Sequence, residues 1–498
     1  MRDWLSYRAT VSPAATAVVE TGTDESWTYA DLDAAVDETA GALAGAGLRA
    51  GDHLGVLMET RPAYVRLVHA AMRLGVVLVG LNARLTPTEL AGQCDWADLT
   101  ALVCATDTEP AAVAAADVPV LSVDDPTTDE VRALGSFAGA FEPAEWALSD
   151  PQVMLFTSGT TGAPKGVVLT PKNLLASATA SAFRLGVLPG DRWLLSLSMY
   201  HMGGLSPVVR TALYGTTLVL QRGFDPVETG RALPAYDVTG VSLVPTMLRR
   251  VLDAAETEGF DPAPESLRFV LLGGAPARDE LVARCADAGV PVCPSYGMTE
   301  TASHVTAARP EEAFTNRGTV GRPLVFDDVT VVGDEGNPLP PGEPGELVVS
   351  GPVVMDGYYG DPEATRAAFG PHGFHTGDVG YRDEAGRLWV LNRRSDRIVT
   401  GGENVHPGEV VDALRDHPDV REAAVVGLAD PEWGERVGAL VVPEEGATLT
   451  ESDVLDHCAS RLAGYKRPRT IRFAAELPRT ASGTVEREAV RDLLTASE

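Results

Sequence analysis

The sequence predicts an α/β protein: a large N-terminal region of parallel-sheet α/β subdomains, a small β-barrel-like unit, and an α+β C-terminal domain. Three observations predict it. Strand-like apolar runs alternate with helix signals through about the first 300 residues, the pattern of βαβ units on a largely parallel sheet. Between 320 and 390 the pattern shortens to brief strands broken by Gly and Pro. Beyond a charged junction, Arg393-Arg-Ser-Asp-Arg397, helix and strand signals resume over a length suited to one small domain. At 498 residues the chain is too long for a single core. The expected division is 1–395, with the barrel-like part at about 320–390, and 396–498.

In chain order, Thr28-Tyr-Ala-Asp31 has capping-box spacing and opens an amphipathic helix ending near Gly45 to Gly47. Residues 53–58 read as a strand, 62–74 as a helix begun by Pro62, and 76–81 as a buried strand. Thr86-Pro-Thr-Glu89 is another helix start, 101–104 another strand, and 124–129 a polar loop. Apolar runs at 153–156 and 167–169 flank a Gly/Thr loop, and Thr170-Pro171 starts the next helix. Strands follow at 193–197, 241–244, 269–272 and 292–296, with helix signals at 245–254 and 276–288. Ligands in such sheets bind beyond the carboxyl ends of strands, so the polar clusters at 199–205 and 297–300 are expected to share one site with the loop at 153–170. The tail carries helices at 407–414 and 452–462 and strands at 423–427 and 438–442.

Composition excludes several classes. A net charge of −30 argues against nucleic acid as a partner. No stretch approaches a membrane span, and residues 1–10 are polar, without a signal-peptide core, so no membrane insertion is expected. Cys94, Cys104, Cys285, Cys293 and Cys458 are scattered, with no CxxC, and are expected to be buried free thiols in a reducing cytoplasm. Lys165, Lys172 and Lys466 are the only lysines, whereas Arg is plentiful. Acid enrichment without lysine fits a halophilic protein, its self-repulsion screened by salt; a GC-rich genome would also exchange Lys for Arg.

The loop at 153–170, VMLFTSGTTGAPKGVVLT, has the composition of a phosphate cradle. Gly159, Gly162 and Gly166 let backbone amides turn toward an anion. Thr157, Ser158, Thr160 and Thr161 add hydroxyls, and Lys165 adds a point charge suited to phosphate. It is not a P-loop, because the spacing is GxxGxxKG and the residues that follow are extended rather than helical. It reads as a mobile flap between two strands.

Read together, FTSGTTGAPKG (156–166), SYGMTET (295–301), HTGDVG (375–380) and RRSDRIVTGGENVHPGEV (393–410) resemble the signatures of the adenylate-forming acyl-CoA synthetase superfamily, in family order along the whole chain. That resemblance implies a two-step reaction: a carboxylate attacks the α-phosphate of ATP to give acyl-AMP and pyrophosphate, and the thiol of CoA then displaces AMP. It implies that Lys165 meets the outgoing phosphates, Thr299 the α-phosphate, and Glu300 a Mg²⁺ ion. Tyr296, Gly297 and the Gly273-Gly274-Ala275 turn resemble the adenine slot, and Asp378 the ribose ligand. Arg394 joins ribose or phosphates, and Asp396 matches the hinge about which the C-terminal domain turns between steps. Gly401, Gly402 and Glu403 would line the pantetheine tunnel, and Lys466 would meet CoA phosphates. One position departs: the family lysine of PRTxSGK is Thr484 in LPRTASGT (477–484), which predicts slow adenylation unless Arg479 or Arg487 supplies the charge.

Closer resemblance, over 191–206, 271–277, 295–304 and 393–410, is to the branch that ligates o-succinylbenzoate, an aromatic keto-diacid of menaquinone biosynthesis, to CoA. Such an acid needs an apolar slot, for which Met202 and Leu205 are candidates, and donors for a second carboxylate, for which His201, Ser206, Ser303 and His304 are candidates. His201 is equally suited to gate the CoA tunnel. The alternatives are a medium-chain fatty acyl or aryl acid–CoA ligase and, because of Thr484, a catalytically weak adenylate-binding relative. The expected partners are the acid, ATP and CoA, with a second copy of the chain in a homodimer.

Overall fold

The computed structural model describes residues 3–23, 25–157, 165–393, 398–400, 403–405, 407–431, 433–459, 461–462, 464–480 and 485–496. They form two compact units: Met1–Thr330 with Val348–His375 and Asp383–Trp389, and Val331–Leu347 with Thr376–Arg382 and Val390–Glu498.

The first unit is built on two sheets. One has nine strands in the order Arg322–Pro323, Ser303–Ala307, Val292–Met298, Phe269–Leu272, Gly240–Leu243, Arg192–Leu195, Thr217–Leu220, Thr16–Glu20, Ser26–Thr28. It is parallel from Val292–Met298 to Thr16–Glu20 and closed by antiparallel strands at both ends. The other has eight, in the order Gly357–Tyr358, Lys165–Leu169, Val153–Thr157, Val77–Gly80, His53–Leu57, Ala101–Cys104, Val120–Ser122, Val131–Ala133. Here the two pairings nearest the Gly357 edge are antiparallel, because Lys165–Leu169 runs against its neighbours on both sides, and the other pairings are parallel. Crossover helices cover these sheets, and local chemistry starts them where the sequence predicts. Thr28, Thr86 and Thr170 each make a reciprocal capping box, with Asp31, Glu89 and Asn173. Central strands are apolar on both faces, as strands covered on both sides must be: all four residues of Phe269–Leu272 and of Ala101–Cys104 are buried.

A five-stranded sheet of Asp328–Val332, Gly345–Ser350, Gly373–Arg382 and Phe369–Gly370, with Leu388–Arg393 paired to Gly373–Arg382, is the small β unit expected at 320–390. The tail sheet orders Glu403–Val405, Ile398–Thr400, Gly434–Pro443 and Val420–Asp430, with Thr470–Phe473 parallel to Gly434–Pro443. Alternation along Val420–Asp430 sends Val425 into a core with Val410, Leu414 and Val454, and Val426 into one with Val490 and Leu494, so helices cover both faces. All five cysteines are free and buried, as expected.

The polar start of the chain is a helix, Trp4–Val11, that tucks Trp4 and Leu5 inside. Its N-cap Asp3 accepts from Ser6 N–H and pairs with buried Arg73, which also holds Asp33 and, at 2.7 Å, Asp37. Burial alone would raise the Asp3 carboxyl, but the Arg73 guanidinium and the Ser6 hydrogen bonds outweigh it and hold its pKa below the usual range. One turn away, burial depresses the His69 imidazole from 6.5 to about 4, so it is neutral in the folded chain. Between those values the unfolded chain binds the extra proton, so stability falls as pH drops through the window, by about 2–3 kcal/mol in all. Urea unfolding at pH 7, 5.5 and 4.5 should show this decline, and His69→Leu should flatten it. Equal declines in both proteins would remove His69 as the cause.

Candidate active site

The flap stands on a hairpin. Val153–Thr157 continues the parallel sheet beside Val77–Gly80, then the chain reverses and Lys165–Leu169 returns antiparallel, with Thr157 opposite Lys165. Ser158, Gly159, Thr160, Thr161 and Gly162 lie outside the described residues. Trp96 packs edge-on against Phe156, and its indole bars any side chain at Gly166: a Cβ there would come within 2.4 Å of the ring.

Lys165 points to a residue the sequence reading missed. Its ammonium lies 4.8 Å from the centroid of the Tyr358 ring, and the Tyr358 hydroxyl donates to Glu300 Oε1 at 3.3 Å. Tyr358 is placed by backbone pairing: Gly357–Tyr358 adds antiparallel to Lys165–Leu169, with Tyr358 opposite Val167. The Met355 N–H donates to the Glu300 carbonyl at 2.8 Å. Two predicted residues, Lys165 and Glu300, are thus brought to one aromatic ring. Nothing in Met355-Asp-Gly-Tyr-Tyr359 announced this except a short aromatic pair after glycine.

Tyr296, Gly297, Thr299 and Glu300 sit at the turn of a second hairpin, where Val292–Met298 passes through Thr299–Thr301 into Ser303–Ala307. Ala302 (φ 50°) and Ser303 (φ 115°) take backbone conformations that side chains disfavour. Gly297 admits the returning strand: a Cβ there would lie 2.1 Å from the Ser303 carbonyl oxygen. Gly274 (φ 78°) and Ala275 form an exposed turn past Phe269–Leu272, tied to the hairpin by the Ser295 hydroxyl, which donates to the Leu272 carbonyl at 3.0 Å. Asp378 belongs to the other unit. It is buried, its N–H donating to Thr376 Oγ1 while that hydroxyl donates to the Leu347 carbonyl.

The helix that carries four of the predicted acyl-site residues at its start also carries a second residue not foreseen. His201 precedes the helix Met202–Tyr214. Its ring is exposed and stacks edge-on with Tyr200, yet surrounding protein and the charge of Arg84 hold its pKa below the usual imidazole range. Met202, Leu205 and Ser206 are buried. One turn beyond Ser206 is Arg210, only 1% exposed, with no carboxylate partner among the described residues. Its Nη2 donates to Ser177 Oγ at 3.1 Å, and Ser177 donates to the Ala302 carbonyl, while Nη1 has no hydrogen-bond partner among the described residues. His304 is buried too and feels its charge, with Nε2 unpartnered among the described residues and Nδ1 3.4 Å from Ser303 Oγ. Burial first, then the charges of Arg210 and Arg184, push the His304 imidazole well below its usual pKa, so it is neutral. A buried guanidinium without a counter-charge is costly, and an arginine does not shed its proton. The signal was present: an arginine four residues past Ser206, inside an apolar helix.

Arg394, Asp396, Gly401, Gly402 and Thr484 lie outside the described residues. Glu403 begins the short strand Glu403–Val405, and Lys466 ends the 3-10 turn Gly464–Lys466. Arg479, one candidate to replace the family lysine, pairs with Glu422 at 2.8 Å, and Arg487 starts the helix Arg487–Thr495. Among the described residues no group of three or more His, Cys, Asp or Glu could hold a metal ion, so a cation at Glu300 would need ligands from a bound molecule.

Residues 5–359 match the AMP-binding enzyme family and residues 409–484 the AMP-binding enzyme C-terminal domain. The 2-succinylbenzoate–CoA ligase of Geobacillus kaustophilus (strain HTA426) is 40% identical, with 100% of this chain and 99% of that one covered. Two solved structures of o-succinylbenzoate CoA synthetase (MenE) from Bacillus subtilis each superpose with a TM-score of 0.89 at 35% identity. One holds the acyl-adenylate intermediate OSB-AMP, covering 100% of this chain and 99% of that chain. The other holds ATP and a magnesium ion, covering 100% of both.

The Gly297 contact yields a direct test. Gly297→Ala must spread the hairpin that carries Thr299 and Glu300, so ATP binding by calorimetry should weaken at least tenfold and the melting temperature should fall. An alanine variant that binds ATP as the wild type does would show that the turn is not held by this contact.

Proposed function

The chain belongs to the AMP-binding enzyme family, among the 2-succinylbenzoate–CoA ligases, and from that premise we propose how its own residues divide the work. The enzyme ligates o-succinylbenzoate to CoA in an ATP-dependent reaction that passes through the acyl-adenylate and releases AMP and pyrophosphate. Arg210 is the observation that carries the choice of acid. A monocarboxylic fatty acid presents one carboxylate, which is consumed at the phosphate. A diacid keeps a second, and a buried guanidinium with no carboxylate partner among the described residues is the partner that second carboxylate requires. It lies one helical turn from Ser206, and its charge acts on neutral His304, which Ser303 precedes. Met202 and Leu205 contribute apolar wall, and His201 stands at the exposed end of the same helix.

In the first step Lys165 and the flap residues 157–162 take the β- and γ-phosphates, and Thr299 orients the α-phosphate. Tyr296, Gly297, Gly274 and Ala275 hold adenine, and Asp378 and Arg394 the ribose. Glu300 would hold magnesium together with phosphate oxygens, and that ion, when bound, neutralises charge on the departing pyrophosphate. The domain from residue 396 then turns about Asp396, and Gly401, Gly402, Glu403 and Lys466 receive CoA. The acidic, lysine-poor composition suits a halophilic, cytoplasmic enzyme.

Two measurements test this. Pyrophosphate release with o-succinylbenzoate should exceed that with benzoate or octanoate by at least a hundredfold in kcat/KM. Arg210→Leu should raise KM for o-succinylbenzoate about 30- to 100-fold, the equivalent of one charged hydrogen-bonded pair, without moving KM for ATP. A preference for octanoate would overturn the choice of acid. Separately, Thr484→Lys should speed adenylation more than tenfold and leave the conversion of pre-formed acyl-AMP by CoA unchanged. An unchanged adenylation rate would mean that another cation already serves.

A further inference from the structure

We propose that Tyr358 is a positioning residue that keeps the phosphate-binding lysine and the metal-binding carboxylate from neutralising each other before ATP arrives. The inference rests on the nucleotide roles given above to Lys165 and Glu300. Both residues sit in one compact unit and on one ring: the ammonium over its face at 4.8 Å, the carboxylate at its hydroxyl at 3.3 Å. A lysine on a flexible stem and a glutamate so placed would otherwise form a direct ion pair. That pair would occupy the cation needed by the triphosphate and the oxygen needed by magnesium.

The phenol gives each a weaker, neutral partner instead. A ring face attracts an ammonium without holding its hydrogen bonds, and a phenol O–H satisfies one carboxylate oxygen without cancelling its charge. Donation to Glu300 also enriches the ring in electron density, so the two contacts support each other. Both are loose enough to exchange for phosphate and metal. The ring is held still for this purpose. Tyr358 N–H donates to Thr365 Oγ1 at 2.9 Å, and Tyr359 N–H donates to the Gly166 carbonyl at 2.8 Å. Gly357 (φ 158°) leaves no room for a Cβ, which would sit 2.8 Å from Thr365 Cγ2.

Direct calorimetry of ATP binding without magnesium and without acid reads this apart from turnover. Tyr358→Leu should weaken metal-free ATP about tenfold, because Lys165 is then captured by Glu300. Tyr358→Phe, which keeps the ring, should stay within about threefold of the wild type. Adding Glu300→Gln to Tyr358→Leu should restore metal-free binding to within about twofold, a rescue that a merely structural role for the tyrosine does not predict. Melting curves confirm folding, and Tyr358→Met replaces the leucine variant if that does not fold. Tyr358→Leu binding as the wild type does, or a double variant no better than the single, overturns the proposal. A wild-type protein that binds no ATP at all would instead overturn the nucleotide site itself.

Discussion

One register governs how Lys165 is presented: Thr157 lies opposite it in a hairpin grown from the end of a parallel strand. A parallel strand ordinarily leaves its sheet by a crossover helix, and its carboxyl end is where a ligand sits. Here the chain turns back at that end. The lysine is thereby delivered as the first residue of the return strand. Sliding that pairing by one residue would turn Lys165 to the opposite face. The neighbouring Gly357–Tyr358 strand pins the return strand from its other edge, and Trp96, wedged between Phe156 and Tyr359, fills the space behind.

The helix Met202–Tyr214 carries a different constraint, a buried charge with no carboxylate partner among the described residues. Arginines nearer the surface pair with acids, as half-buried Arg284 does with Asp253 and Glu256 and exposed Arg231 with Glu258. Arg73, equally buried, is surrounded by Asp3, Asp33 and Asp37. Arg210 has no carboxylate partner among the described residues; it donates to the Ser177 hydroxyl and lies over the Trp193 ring. The contrast separates two uses of one side chain. The Arg73 cluster locks the first helix to the fold, whereas Arg210 is offset by no acid among the described residues and is proposed to meet a carboxylate of the substrate.

Most of the N-terminal architecture was legible because it is written in local chemistry. Capping boxes at Thr28, Thr86 and Thr170 and uninterrupted apolar runs such as 101–104 place helices and strands without reference to anything distant. The helix Trp4–Val11 was missed because its periodicity is weak. What stabilises it is an N-cap aspartate whose second partner, Arg73, is 70 residues away. Tyr358 and Arg210 escaped for the same kind of reason. Each acts through neighbours remote in the chain, Lys165 and Glu300 for one, Ser177 and the 302–304 turn for the other. The residues legible in advance were those whose neighbours in sequence share their task.

Burial of all five thiols bears on the chemistry of an activated acyl group. A mixed anhydride of a carboxylic acid and AMP reacts with any sulfur or amine nucleophile that reaches it. The desolvated Cys104, Cys285 and Cys293 thiols are pushed up to about 12, so each is protonated as well as hidden. With only three lysines in the chain, amine nucleophiles are nearly as scarce. A protein so composed is a poor target for acylation by its own intermediate, and the thiol that enters from solution meets little competition from the protein around it.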